Sequence, residues 1–255
     1  MDAGLKGRDN FESLEPGIFG ELAEVSGSPH IHESTKGHEQ AITIQTPQLT
    51  LEGILVLAEQ PNQPGLVLCH SHPLFGGSMD DSRLKAIQEA AAAKGFNTLR
   101  FNYRGVGKSE GQFGQGIGEI QDTIAAVKFL QNHDHTDNAR IALLGYSFGG
   151  SISLAAAMDI SPAALVTISA PLRLPNLDSE LIKDAIRYVP CPTYVIHGQD
   201  DDSVNPVEAE TIYALLQIEE KYLRLIKGAN HFWTRRLSTI IPMIMAFLSD
   251  KLAKS

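Results

Sequence analysis

The segment that most constrains this chain lies between residues 141 and 157. Four apolar residues, Ile141, Ala142, Leu143 and Leu144, run straight into Gly145-Tyr146-Ser147-Phe148-Gly149, and a stretch of mostly small residues follows from Gly150 to Ala157. The apolar run reads as a short strand covered on both faces, and the small-residue stretch as a helix that packs closely on its neighbours. The turn between them is tight enough that the positions two before and two after the serine have room for almost no side chain, a demand that Gly145 and Gly149 meet. A strand that turns directly into a helix points to a mostly parallel sheet wrapped by helices.

The rest of the chain repeats that pattern. Short, nearly continuous apolar runs at 65–69, 98–101, 164–168 and 193–196 predict further buried parallel strands. Between them, 82–94 closes on Gly95 and 119–130 places Ile120, Ile124, Val127 and Leu130 on one stripe, as crossover helices do. Residues 179–188 and 237–252 predict two more helices, and 222–226 a last strand. Upstream, 41–46 and 49–57 alternate apolar and polar residues around Pro47-Gln48, which predicts an antiparallel hairpin leading into the sheet. Residues 1–40 are polar and aperiodic, so the expected organisation is an N-terminal extension, 1–40, followed by one α/β domain, 41–255. A length of 255 residues suits one full core better than two domains.

Composition excludes several classes. A formal net charge of −9, with no compensating Lys/Arg cluster, argues against nucleic acid. No apolar run approaches the roughly 20 residues of a membrane span and no signal-peptide core is evident, so a cytoplasmic location without membrane attachment is expected. Cys69 and Cys191 each adjoin a strand and read as small core residues rather than a disulfide. The oligomeric state is left open, a homodimer included.

The chemistry begins at Ser147, which the turn lifts into an exposed position at a helix N-terminus. A serine hydroxyl needs a base, and the base needs an acid to orient it. His231, in Gly228-Ala229-Asn230-His231-Phe232, follows the last predicted strand and is the candidate base. The candidate acid lies in His197-Gly198-Gln199-Asp200-Asp201-Asp202-Ser203-Val204, where the spacing favours Asp201, with Asp202 its main rival. An oxyanion would be held by the backbone N–H of Phe148 and by a second N–H from the loop after the strand at 65–69. Pro73 has none to give, so Leu74 is the choice and His72 the alternative.

Competing readings lack support. His70 and His72 have no third metal ligand evident, and no Cys or paired carboxylate completes a ligand set with His30, His32 and His38 upstream. Arg104-Gly105-Val106-Gly107-Lys108-Ser109 lacks the spacing of a phosphate-binding loop. No metal or organic cofactor is expected.

These motifs carry a resemblance. The 145–149 turn, His70-Ser71-His72-Pro73-Leu74-Phe75-Gly76-Gly77-Ser78-Met79, Leu99-Arg100-Phe101-Asn102-Tyr103-Arg104-Gly105 and the 228–232 segment resemble the α/β-hydrolase superfamily from about residue 40 onward. Within it they look like the small bacterial predicted α/β hydrolases near the dienelactone hydrolase-like proteins. That group usually has His-Pro-His-Pro where this chain has His70-Ser71-His72-Pro73. The resemblance implies an eight-stranded sheet with the triad at the carboxyl ends of its strands. Dienelactone hydrolases use a cysteine, whereas Ser147 implies an esterase-like route through an acyl-enzyme. Few residues beyond the helix at 179–188 separate the strands at 164–168 and 193–196, so no large lid and a small or short-chain acyl substrate are expected. A thioesterase, acyltransferase or peptidase would use the same three residues, and a non-catalytic binding protein of this fold is the rival from another class.

Overall fold

The predicted strands assemble into one sheet in the computed structural model, which describes residues 38–174 and 179–254. His30 and His32, with nearly all of the expected extension, lie outside the described residues; His38 is exposed. The eight strands are β1 (Gln40–Gln45), β2 (Thr50–Val56), β3 (Gln63–Cys69), β4 (Asn97–Phe101), β5 (Thr136–Tyr146), β6 (Ala164–Ile168), β7 (Thr193–Gly198) and β8 (Lys221–Ile226). Their order across the sheet is β1-β2-β4-β3-β5-β6-β7-β8. The predicted hairpin is there: β2 pairs antiparallel with β1 and with β4, and every later pairing is parallel.

Side chains alternate across a strand, so each buried run feeds two cores. Val67, Leu99, Leu143, Leu165 and Val195 face one, and Leu66, Leu68, Leu144, Val166 and Ile196 the other. Helices α2 (Ile117–Gln131), α3 (Phe148–Ile160), α4 (Ser179–Arg187) and α5 (Val207–Leu215) cover the first face. Helices α1 (Ser82–Ala93) and α6 (Leu237–Lys251) cover the second. From β3 the chain steps one way to β4 and then back past β3 to β5. Crossovers of one hand that run in opposite directions put their helices on opposite faces, as α1 and α2 are. The crevice left at the carboxyl ends of β3 and β5, where the direction reverses, is where such sheets bind ligands.

Helix α5 is not apparent in the sequence pattern, because it buries only Ala209 and Ile212. Its start is signalled by Asn205-Pro206: the Asn205 side-chain oxygen accepts from the Val207 N–H at 3.0 Å, and proline suits a first turn. Cys69 and Cys191 are both buried and unpaired, as small core residues should be. Between β6 and β7 the only helix among the described residues is α4, so no lid domain is inserted there. None of the described helices is long and apolar enough to cross a membrane.

Candidate active site

The turn from β5 to α3 shows why its glycines are needed. A Cβ at Gly145 would overlap the Gly149 carbonyl, and one at Gly149 would overlap the carbonyls of Cys69 and His70. The start of α3 is thereby pressed against the end of β3. Ser147 sits between the two glycines at φ 53° and ψ −123°, a conformation that glycine adopts far more readily than serine. Its N–H donates to the Ile168 carbonyl of β6 at 2.8 Å, which holds the strained residue in place.

Three side chains from three loops meet here. The Ser147 Oγ lies 3.1 Å from His231 Nε2, and His231 Nδ1 lies 2.8 Å from Asp201 Oδ2. Asp201 is buried, whereas Asp200 and Asp202 on either side of it are exposed, so the geometry distinguishes three aspartates that sequence spacing only ranked. Burial alone would raise the Asp201 pKa. The hydrogen bonds from His197, His231 and the Val204 N–H outweigh it and hold the carboxyl well below the usual carboxylate range. The other oxygen, Oδ1, accepts from the N–H groups of Ser203 at 3.0 Å and Val204 at 2.8 Å. Asp201 is therefore anionic at neutral pH.

The base loop is tied down by residues that no motif announces. The Tyr146 hydroxyl, beside the nucleophile in sequence, donates to the His231 carbonyl at 3.0 Å. The Arg83 guanidinium lies 4.4 Å from the centre of the Tyr146 ring and donates to the Phe232 carbonyl at 3.2 Å. Trp233 is buried and its indole N–H donates to Ser169 Oγ at 3.2 Å. The Asp200 N–H donates to the Ala229 carbonyl at 3.0 Å, linking the acid loop to the base loop. A Cβ at Gly198 would overlap that same Ala229 carbonyl, which explains a glycine at the end of β7.

The loop after β3 is organised by its two histidines. The His70 Nδ1–H donates to the Ser71 carbonyl, with the atoms 2.6 Å apart, and its Nε2 accepts from the Tyr103 N–H at 3.1 Å. Both nitrogens are used, so this ring is a neutral clasp between the loops after β3 and β4. The His72 Nδ1 accepts from the Leu74 N–H at 3.2 Å, and the His72 ring packs on Phe75, Phe113 and Phe148. The Leu74 amide is thus engaged within its own loop. The His72 N–H has no acceptor among the described residues, and the Phe148 N–H, opening α3, has no intrahelical acceptor.

His70 makes the stability of the fold depend on pH. Burial pushes its pKa down from 6.5 to about 4, against the Ser71 carbonyl and the Asp81 charge, which favour the proton. The unfolded chain takes up a proton near 6.5 that the folded chain refuses until about 4. Stability from this group is full above the first value and is lost as pH falls toward the second. The expected loss is about 3 kcal/mol, read as a lower urea midpoint at pH 4.5 than at pH 7. His70→Gln, which cannot titrate, should flatten that slope while lowering the midpoint at both pH values.

Among the described residues no group of three His, Cys, Asp or Glu could hold a metal ion. The glycine-containing loop at 104–109 is braced structurally, with Arg104 paired to the buried Asp122 at 2.7 Å. A groove of about 610 Å³ between α2, α3 and α4, with Ile117, Met158, Leu181 and Tyr188 in its lining, includes none of the three meeting side chains.

Comparisons with known proteins bear on the fold. A family model described as X-Pro dipeptidyl-peptidase (S15 family) matches residues 58–176, a span that includes Ser147 but neither Asp201 nor His231. An uncharacterised protein of Rickettsia prowazekii is 28% identical over 209 residues, which are 79% of this chain and 85% of that protein. A solved structure from Xanthomonas campestris, described as an α/β serine hydrolase without lid, matches with a TM-score of 0.71 at 26% identity, covering 85% of this chain and 96% of that one. An α/β serine hydrolase homologue from Coxiella burnetii matches with a TM-score of 0.71 at 28% identity, covering 82% of this chain and 97% of that one.

Proposed function

The chain belongs to the α/β-hydrolase superfamily, and on that premise we propose that it is a serine esterase acting on small or short-chain acyl substrates without a cofactor. The observation that carries the reading is the continuous hydrogen-bonded line from Ser147 Oγ through His231 to Asp201, at 3.1 and 2.8 Å. His231 takes the Ser147 proton as the oxygen attacks the acyl carbonyl, while Asp201 keeps the Nδ1–H tautomer and stabilises the imidazolium. The tetrahedral oxyanion is held by the Phe148 N–H and by a second amide. His72 supplies that amide rather than Leu74, since the Leu74 N–H is engaged by the His72 ring. The alcohol leaves with the proton from His231, and water repeats the sequence on the acyl-enzyme.

The substrate class rests on the surroundings. Leu74 is 67% exposed, Phe75 81% and Phe232 58%, and all three belong to the loops that carry the oxyanion amide and the base. An open, apolar rim of this kind favours short apolar acyl groups. The match to the X-Pro dipeptidyl-peptidase model favours a second reading, amide cleavage by the same residues, although the matched span stops before the acid and base.

The test uses a fluorophosphonate probe on the purified protein, with the label located by mass spectrometry, beside turnover of p-nitrophenyl acetate, p-nitrophenyl butyrate and an Ala-Pro p-nitroanilide. The expected outcome is a single label on Ser147 and ester turnover well above anilide turnover. Faster anilide cleavage selects the peptidase; a folded protein with neither label nor turnover ends the serine-hydrolase reading.

A further inference from the structure

Asp201 has a second histidine partner. The His197 ring is buried at the end of β7, and its Nε2 lies 3.2 Å from Asp201 Oδ2, the oxygen that also accepts from His231. The same Nε2 is 3.0 Å from the Val204 carbonyl, which can only accept, so Nε2 bears a proton. Nδ1 is buried and without a partner among the described residues. A proton there would be an orphan donor, so the ring is neutral and has one N–H to share. Oδ1 of Asp201 thereby accepts the Ser203 and Val204 N–H groups and Oδ2 that of His231, while His197 Nε2, whose N–H is directed at the Val204 carbonyl, stands 3.2 Å from Oδ2 and presents its N–H dipole beside it.

We propose that His197 is a positioning residue of this site, whose Nε2–H orients the Asp201 carboxylate and draws part of its charge away from His231. The role rests on the serine-hydrolase reading above. A carboxylate that accepts a further hydrogen bond is stabilised as the anion and pulls less strongly on each donor. Without His197, more of the Asp201 charge would face His231 and the imidazolium would become more stable. The other charged or titratable groups around the pair are Asp200 and Asp202 on the acid loop, Tyr146 from β5, and Asp81 with Arg83 at the start of α1. None of these is altered by a change at position 197.

The experiment follows the ring of His231 through its titration by NMR in protein labelled with ¹⁵N-histidine, for the wild type, His197→Leu and His197→Gln. Leucine removes the donor at similar volume; glutamine can present an amide N–H near the position of Nε2. The expected result is a His231 midpoint raised by about half a unit to one unit in His197→Leu. The acid limb of kcat/KM for p-nitrophenyl butyrate should move with it, and glutamine should restore most of both. A His197→Leu midpoint within about 0.2 units of wild type, well inside the effect of one lost hydrogen bond, overturns the proposal. So does glutamine displacing the midpoint as far as leucine does. The midpoint is read without turnover, so it decides the role of His197 even where an unlabelled Ser147 has sunk the esterase reading. Should His197→Leu fail to fold, the wild-type spectra decide: a His197 Nε2–H resonance that moves as His231 is protonated supports the proposal, and one that does not move, or a doubly protonated or Nδ1–H ring, overturns it.

Discussion

Replacing Ser147 by Ala is expected to lower kcat for p-nitrophenyl butyrate by at least about 10⁴-fold, since the remaining groups cannot supply a nucleophile. The fold should be unchanged, because the Ser147 side chain makes its one hydrogen bond to His231 while the backbone contacts, N–H to Ile168 and carbonyl to the Gly150 N–H, survive the change. Ser147→Gly separates chemistry from architecture more sharply. It should be equally inactive yet more stable than the wild type by about 1 kcal/mol, because glycine relieves a backbone at positive φ that a Cβ strains. Urea unfolding of both variants beside the wild type, with turnover measured on the same preparations, reads the two effects together. Glycine less stable than serine would mean that the turn is not strained at position 147, and turnover retained in either variant would remove Ser147 from the chemistry.

The same turn explains why so much of the fold is legible in the sequence. Buried parallel strands leave continuous apolar runs, and β6, covered on both faces, begins and ends where the run 164–168 does. The glycines flanking Ser147 are visible because the backbone leaves no space for a side chain. What escapes are features settled by side-chain rotation rather than by periodicity. Leu74 and His72 both offer a backbone amide on the chain, and the turn of the His72 ring onto the Leu74 N–H is seen only in the folded loop. His197 reads as one more buried residue at the end of a strand until its ring is seen beside Asp201. The anchoring of His231 by Tyr146, Arg83 and Trp233 joins residues from separate parts of the chain and leaves no local pattern. The three consecutive aspartates fall between these cases, because spacing orders them and only the loop geometry chooses.

That choice is tested by Asp201→Asn, for which kcat is expected to fall by about 10⁴-fold, while Asp202→Asn stays within about 3-fold of wild type. Asp202 is exposed and makes only a 3.4 Å contact with the Ser203 hydroxyl, so little depends on its charge. At position 201 the amide has two orientations. With its NH₂ toward Ser203 and Val204 it would face two backbone donors at 3.0 and 2.8 Å, which it cannot accept. The reverse orientation keeps those two bonds and opposes only the His197 Nε2–H, so it is the less costly. In that orientation the NH₂ points at His231 Nδ1 from 2.8 Å and requires Nδ1 to accept. The His231 proton then moves to Nε2, the atom that must receive the Ser147 proton, and the base is lost although every residue remains in place. Histidine ¹⁵N spectra of Asp201→Asn should show that exchange of tautomers in step with the loss of turnover. An unchanged tautomer with a 10⁴-fold loss would assign the effect of Asp201 to its charge alone, and a variant within 100-fold of wild type would remove Asp201 from the triad.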